Sequence, residues 1–410
     1  MAVDDVEYEP VSVKEVLAEM KDTAELLIDL SYSAVLLGST EVAHEVLELE
    51  ERMDVLQLQA RMSLLMAARN PEDAEALAPV LGVVGAAEKI SDAAGDIAKV
   101  VVEEVGLPES MRTALPDAVE ALVPVGVAAD SPLAGTTLGE ANLETETGVR
   151  VIAIRRDGDW LLNPATETRL EVGDVALLRG AEDGLAEVHE QLCGQPYERP
   201  EPEASAIADL ERALDSIVLM KDMSELAVDL AYGAVLYDSE ALAEEVLELE
   251  AEVDALQSRF EAWILRAAAS VDDPVSLRGL VHLATATEVI SDAAVEISEG
   301  VLRGLGTHPV ITEAVWESDE VIVRYTVSPG SPLDEATLGS ATVETETGMR
   351  VIAVRRSDPS ETATTGDSDW VVSPGPETRL QAGDRFVAKG TRSGADRLAE
   401  LAGDEPPGAV

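Results

Sequence analysis

Acidic pairs spaced by four residues recur along the chain, and they are the side chains with the clearest potential for chemistry. In chain order they are Glu25 and Asp29, Glu50 and Asp54, Glu88 and Asp92 with Asp96, Glu225 and Asp229, Glu250 and Asp254, and Glu288 and Asp292 with Glu296. On a helix, such residues share one face, and like charges there are destabilising. A cation would relieve the repulsion, and carboxylates converging in a helical bundle bind ions such as Mg²⁺, Mn²⁺ or iron. These residues are therefore candidate metal ligands.

The same pairs have a second interpretation, as part of a solvated acidic surface. The chain has 81 acidic and 29 basic residues, with a net charge of −52. At that density, most helices contain an acidic pair by chance. A chain that is 46% hydrophobic yet so acidic is typical of a salt-loving organism, because concentrated salt screens self-repulsion. Both interpretations of the pairs stay open at the level of sequence.

Composition excludes some functions and favours one compartment. The negative charge argues against nucleic-acid binding, which requires a basic face. Cys193 is the one cysteine, so no intramolecular disulfide framework can form. The longest uncharged run, 76–87, has 12 residues, whereas a membrane-spanning helix needs roughly 18. With no secretory signal visible, we expect a cytoplasmic protein without direct membrane insertion.

The sequence is an internal duplication. Residues 142–156 and 342–356 agree at 11 of 15 positions, an offset of 200 residues. Beyond residue 157 the offset becomes 210, which indicates a lengthened loop at 360–369. A proline-rich linker at 194–203 separates the halves. We expect like units to pair as a covalent pseudo-dimer, with homodimerisation of the whole chain as a further expectation.

Each half changes from helical to strand periodicity midway. Predicted helices in the first half include 40–69 and one from Pro71 towards Val102, with Asn70 as N-cap and Pro79 as a kink or break. The remaining predicted elements are strands at 123–128, 150–155, 160–162, 175–178 and 321–327, and a helix at 181–192. The fold class is multi-domain α plus α+β, with two helical bundles (1–108 and 204–307) alternating with two small α/β domains (115–193 and 317–403).

The helical units resemble PhoU domains. The segment 87–98, Ala-Glu-Lys-Ile-Ser-Asp-Ala-Ala-Gly-Asp-Ile-Ala, is similar to the Glu-Arg-Ile-x-Asp region of that family. Lys89 stands in place of the arginine, and Val289 occupies this place in the second half. The resemblance implies a metal cluster held by the acidic pairs and a role in regulating transporters.

The α/β units resemble the TrkA C-terminal domain, the C-terminal part of a regulator of potassium conductance. The motifs are Asp130-Ser131-Pro132-Leu133, Val151 to Arg156, Pro164, Gly173-Asp174 and Gly180, which recur as Gly330-Ser331-Pro332-Leu333, Val351 to Arg356, Pro374, Gly383-Asp384 and Gly390. We predict that both Gly-Asp pairs form tight turns. The family binds small regulators, including cyclic di-AMP, at its dimer interface.

Four arginines are the candidate contacts for such an anionic ligand: Arg155, Arg156, Arg355 and Arg356. Arginine recognises phosphate in bidentate fashion. Adjacent residues on a strand, however, face opposite ways. At most one arginine of each pair then lines a shared groove, and the others pair with acids. The implied cofactors are a divalent metal or a cyclic dinucleotide.

Enzymatic signatures are missing from the sequence. No Gly-x-Gly-x-x-Gly follows a strand and no P-loop occurs, so NAD or ATP sensing through a Rossmann domain is not expected. No histidine recurs at an equivalent position in the two halves. We therefore expect a regulatory subunit of a cation transport system, with potassium favoured, whose partner is a membrane transporter or channel. The alternative is a PhoU-type regulator of phosphate or divalent-cation transport.

Overall fold

The computed structural model describes residues 12–115, 120–156, 159–162, 164–197, 207–305, 308–357 and 370–404. They form two compact units, and each unit draws on both halves of the chain. The helical unit comprises the described residues up to 115 and from 207 to 319, and the α/β unit comprises the rest. Like copies therefore pair with like, as the duplication predicts.

The first half supplies helices to one unit and a sheet to the other. Its elements are α1 (Val13–Leu37), α2 (Thr40–Ala67), α3 (Pro71–Val102), α4 (Glu109–Ala114), β1 (Ala121–Gly126), α5 (Leu138–Ala141), α6 (Leu143–Thr147), β2 (Arg150–Arg156), β3 (Asp159–Leu162), β4 (Val175–Gly180) and α7 (Glu182–Cys193). As predicted, the Asn70 side chain caps α3, accepting a hydrogen bond from the Asp73 amide at 2.8 Å.

The second half repeats this order with a few local changes. Its elements are α8 (Ala208–Tyr237), α9 (Glu240–Ala268), a 3₁₀ turn (Pro274–Leu277), α10 (Arg278–Leu302), α11 (Pro309–Glu317), β5 (Val321–Thr326), α12 (Val343–Thr347), β6 (Met349–Arg355), β7 (Trp370–Val372), β8 (Arg385–Gly390) and α13 (Arg392–Ala402). The predicted long loop at 360–369 and most of the predicted linker lie outside the described residues.

Pro79 does not break α3, which runs continuously from Pro71 to Val102. The expectation of a break here was wrong. A proline removes one backbone hydrogen bond, but α3 is held along its length by packing against α1, α2 and α10. Pro79 itself lies against Gly300 of α10, where an added Cβ would come within 2.8 Å of the proline Cβ. Tertiary contact therefore outweighs the local preference.

Reciprocal contacts join the two helical copies. The buried Lys21 ammonium lies 5.4 Å from the Tyr232 ring centroid, and the equivalent Lys221 lies 5.4 Å from the Tyr32 ring centroid. The Tyr32 hydroxyl shares a 2.6 Å hydrogen bond with the Thr287 hydroxyl. Cations over aromatic faces are strongly attracted where water is excluded. The two copies are thus related by matching contacts, as expected of a local two-fold arrangement.

The α/β unit consists of two lobes with the same topology. Each contains a four-stranded antiparallel sheet, in the order β1-β4-β2-β3 in one lobe and β5-β8-β6-β7 in the other. A register shift falls at the same place in both, between Val151 and Ala153 and between Val351 and Ala353. In the first lobe, Leu185, Val188 and Leu192 of α7 are fully buried in the core with apolar strand residues.

Two glycine substitutions test the packing of α3 against α10. Alanine is favoured over glycine inside a helix by about 1 kcal/mol, and a Cβ at Gly85 would meet nothing within 4 Å. Gly85→Ala should therefore stabilise the protein. Gly300→Ala gains the same propensity but crowds Pro79, and overpacking costs roughly 1–3 kcal/mol. Chemical unfolding in concentrated KCl should place Gly300→Ala below Gly85→Ala in stability; equal stabilities would contradict the close contact.

Candidate metal and ligand sites

Three predicted metal ligands converge between α2 and α3. Asp54, Glu88 and Asp92 each offer one carboxylate oxygen, and these oxygens all lie within 4.8 Å of one another. Asp54 is on α2, whereas the other two are one turn apart on α3. Burial, then the charges of Glu88 and Asp54, raise the pKa of Asp92 above its ordinary value. We call these three residues the carboxylate trio.

Glu50 and Lys99 lie beside the trio. A Cβ at Gly95 would clash with the Glu50 carboxylate, so the absence of a side chain there is what admits it. Burial raises the pKa of Glu50, although Lys99 opposes the shift. The Lys99 ammonium lies 3.4 Å from Glu50 and 3.2 Å from Asp96. Lys99 thus partly neutralises the negative charge of Glu50 and Asp96 at the edge of this acidic site.

The donor set of the trio fits a hard divalent cation. Carboxylate oxygens are the ligands that Mg²⁺, Mn²⁺ and Ca²⁺ prefer, and three of them within 4.8 Å can contact one ion. Asp54, Glu88 and Asp92 would hold it, and the Glu50 carboxylate on α2 interacts electrostatically with Asp92. Bound there, the ion would offset the repulsion from Glu88 and Asp54, which adds to the effect of burial in raising the pKa of Asp92.

The second half places the equivalent carboxylates together as well. Burial, followed by the charges of Asp292, Asp254 and Glu250, raises the pKa of Glu288. Burial and Asp254 likewise raise the pKa of Asp292. The lysine here comes from the other copy, because Lys89 of α3 pairs with Glu296 of α10. The two acidic clusters are therefore similar in their carboxylates but different in their lysine partners.

The acidic pairs of α1 and α8 have other surroundings. Both oxygens of Glu25 accept hydrogen bonds from the Lys21 ammonium at 2.9 Å. In the second half, Lys221 lies 2.7 Å from Glu225. Asp29 and Asp229 are buried within their helices. The described contacts thus place Glu25 and Glu225 with lysines at the contact between copies, and the assignment of both pairs as metal ligands stays a prediction.

Two of the four candidate ligand-binding arginines have partners within their own lobe. Arg156 donates two hydrogen bonds to the buried Asp174 carboxylate, at 2.8 and 2.7 Å. Burial alone would raise the pKa of Asp174, but the bonds from Arg156 and the Glu171 amide lower it overall. Arg356 donates one hydrogen bond to the buried Asp384 carboxylate, at 2.7 Å, and the Ser357 amide donates to the other oxygen at 3.0 Å. Both aspartates lie in the predicted Gly-Asp turns, which the positive φ angles of Gly173 and Gly383 confirm.

The other two arginines are placed differently. Arg155 is exposed and lies opposite Trp160 on the adjacent strand, with its guanidinium carbon 5.8 Å from the indole centroid. Arg355 lies opposite Trp370 in the second lobe. Neighbouring arginines thus differ in environment, as alternation along a strand requires. A ligand role for any of the four remains a prediction.

Charged residues that sequence reasoning missed lie where the two α/β lobes meet. Glu120 accepts from Arg179 of its own lobe at 2.6 Å and pairs with Arg350 of the other lobe at 2.8 Å. Glu320 lies 3.2 Å from Lys389 of its own lobe and 3.4 Å from Arg150 of the other lobe. The available signal was recurrence, since Glu120 and Arg150 both reappear at an offset of 200 residues. We call these six residues the lobe-contact cluster.

Comparison with protein families accounts for both kinds of unit. The PhoU domain matches residues 17–101 and 217–301, and the TrkA-C domain matches residues 122–192 and 322–403. The chain is an alternating tandem of two PhoU and two TrkA-C domains. The resemblance and the fold class predicted from sequence are thereby confirmed. The helical unit is a pair of PhoU domains, and the α/β unit is a pair of TrkA-C lobes.

Similar solved structures come from a channel. The GsuK channel bound to NAD is 14% identical, covering 78% of this chain and 65% of that chain, with a TM-score of 0.18. The crystal structure of the GsuK RCK domain is 14% identical, covering 81% and 79%, with a TM-score of 0.17. A further GsuK channel structure is 15% identical, covering 71% and 56%, with a TM-score of 0.17. The chain thus spans less than two thirds of the two channel chains.

No curated protein was found to match the chain. Among the described residues, no helix combines the length and the apolar character that crossing a membrane requires.

Adjacent arginine substitutions separate a structural role from an exposed one. Arg156→Ala leaves the buried Asp174 carboxylate without its bidentate partner, and breaking such a pair costs about 3 kcal/mol or more. Arg155→Ala, the matched control, removes only an exposed cation over an indole, worth about 0.5–1 kcal/mol. Thermal unfolding of both variants in concentrated KCl measures the difference. Equal losses of stability would show that Arg156 does not secure the turn.

Proposed function

We propose that this chain is a cytoplasmic regulatory subunit of a cation transport system, with potassium as the favoured ion, and that it is not an enzyme. The observation that carries the proposal is the alternation of PhoU and TrkA-C domains in one chain. In this proposal, the TrkA-C lobes receive a small ligand, and the PhoU domains transmit its binding to a membrane transporter or channel.

The paired architecture supports this assignment. Regulation by a ligand requires that it bind two states of the protein with different affinity. A contact between two lobes that is held by ion pairs can exist in a closed and an open form, and Glu120 and Glu320 form such pairs across the lobes. A cyclic dinucleotide is the proposed ligand class, and Arg155 and Arg355 are its proposed contacts.

Co-purification tests the partner. Full-length protein is used to capture binding partners from native membranes in concentrated KCl, and the captured proteins are identified by mass spectrometry. High salt removes weak electrostatic association with this acidic surface. We expect a potassium channel, antiporter or other cation transporter, absent from a capture with an unrelated acidic protein. Recovery of a phosphate transporter or its sensor kinase instead would contradict the potassium assignment.

A second candidate function is sensing of divalent cations, in connection with phosphate or divalent-cation transport. The carboxylate trio favours it, because its three oxygens lie within 4.8 Å across two helices. Burial, and after it the charges of neighbouring carboxylates, raises the pKa of Asp92 and of Glu288, and a cation would relieve the part that comes from the charges. Occupancy would then strengthen the packing of α2 on α3 and of α9 on α10.

Manganese titration tests the trio directly. Mn²⁺ is detected by electron paramagnetic resonance, with full-length protein in concentrated KCl. Asp92→Asn should lower the affinity of the first cluster about tenfold or more, equivalent to about 1.4 kcal/mol of lost ligand attraction. Glu75→Gln is the matched control, because Glu75 is an exposed acid on the same helix. If both variants bind Mn²⁺ like the unmodified protein, the trio is part of a solvated acidic surface.

A further inference from the structure

Glu344 lies at the contact between the two TrkA-C lobes and is close to the lobe-contact cluster. It is on α12, and a Cβ on Gly148 of the other lobe would come within 3.2 Å of its Cγ. Gly148 has φ +71, a backbone conformation that favours glycine, and the neighbouring Glu344 side chain leaves little room for a Cβ. Among the described residues, the Glu344 carboxylate takes part in no ion pair of the cluster, whose cations are engaged by Glu120 and Glu320.

Many charged groups surround Glu344. The groups that act on it most strongly are Glu120, Arg350, Arg179 and Asp183. Helix α12 also packs against α6, β6 and α13. The further titratable or charged residues on those elements are Glu144, Glu146, Arg355, Arg392, Asp396, Arg397 and Glu400. Glu344 is thus a half-buried carboxyl group among charges of both signs.

Burial and the charge of Glu120 disfavour the ionised form of Glu344. They raise its pKa from 4.5 to about 7, although Arg350 and Arg179 act in the opposite direction. The pKa of Glu120 is shifted in the opposite direction. Burial opposes its ionisation, but Arg179 and Arg350 outweigh burial and lower the pKa to about 2. One carboxylate therefore stays charged at all physiological pH values, while its neighbour changes charge near neutrality.

We propose that Glu344 is a proton-binding site through which pH controls how tightly the two TrkA-C lobes pair. With its proton, Glu344 sits in the contact without repelling Glu120. Without it, a negative charge remains half-buried beside Glu120, which favours separation. Glu120 and Glu320, the carboxylates of the lobe-contact cluster, stand just before β1 and β5. The inference does not depend on which transporter the chain regulates.

The direction of the pH effect follows from proton linkage. Paired lobes hold the Glu344 proton more tightly than separated lobes, so pairing weakens as the pH rises from 4.5 through about 7. Above about pH 7, pairing weakens no further with pH. A difference between 4.5 and about 7 sets an upper limit of about 300-fold on the change in the pairing equilibrium. The pKa of Glu120 is lowered to about 2, so its protonation affects lobe pairing only below its ordinary pKa of 4.5 and not between 4.5 and about 7.

Hydrogen exchange on the full chain tests the proposal. Amide protection of residues 143–149 and 343–349 is measured between pH 5.5 and 8 in concentrated KCl, after correction for the intrinsic exchange rate. A local measurement is needed because burial also raises the pKa of Asp22, in the helical unit, to about 6. We expect protection at the lobe contact to fall at least tenfold across this range in the unmodified protein.

Two variants and one direct titration decide the outcome. Glu344→Gln should keep the lobes protected and abolish the pH dependence. Glu346→Gln, an exposed control on the same helix, should behave like the unmodified protein. Carbon-13 NMR of glutamate-labelled protein, with Glu344→Gln used to assign the signal, should show Glu344 titrating near neutrality. A Glu344 titration near 4.5, or an unchanged pH dependence in Glu344→Gln, would overturn the proposal. If Glu344→Gln does not fold, the pH dependence of protection at the lobe contact in the unmodified protein is the test, and its absence overturns the proposal.

Discussion

The packing of each copy against its duplicate is the constraint on which both units depend. In the helical unit, α3 and α10 approach closely enough for Pro79 to occupy the space that a side chain at residue 300 would need. Around this contact, Lys21 and Lys221 are buried against the aromatic rings of the opposite copy. A buried ammonium is tolerated only with a partner, so the lysines, the glutamates beside them and the tyrosines must be placed together.

The same constraint shapes the TrkA-C pair with different chemistry. There the contact is made by ion pairs that cross from one lobe to the other, such as Glu120 with Arg350 and Glu320 with Arg150. Buried ion pairs add little net stability but are costly to break one partner at a time. A contact of this kind is specific and responsive to charge, which suits a regulatory assembly better than an apolar contact would.

Duplication has also allowed the two copies to diverge. The first acidic cluster has Lys99 at its margin, whereas the second receives Lys89 from the other copy. Gly95 admits the Glu50 carboxylate in the first copy, and the second copy has Val295 at that position. In the TrkA-C lobes, Arg397 of α13 pairs with Glu146, whereas the equivalent position in α7 is Glu187. The two halves are thus similar in backbone but unequal in electrostatics.

The sequence by itself determined the repeat, the domain types, the order of helices and strands, and the turns at Gly173 and Gly383, because these depend on local periodicity and short motifs. It also identified Asp54, Glu88 and Asp92 as candidates, since a spacing of four fixes a shared helix face. Only the tertiary structure decided that these three converge from two helices, while Lys21, the partner of Glu25, lies over the Tyr232 ring of the other copy. It likewise decided that Pro79 leaves α3 unbroken, and that Glu120, Glu320 and Glu344 meet between the lobes. Those outcomes depend on which helix or lobe lies opposite, and a linear pattern does not encode the distance between residues on different elements.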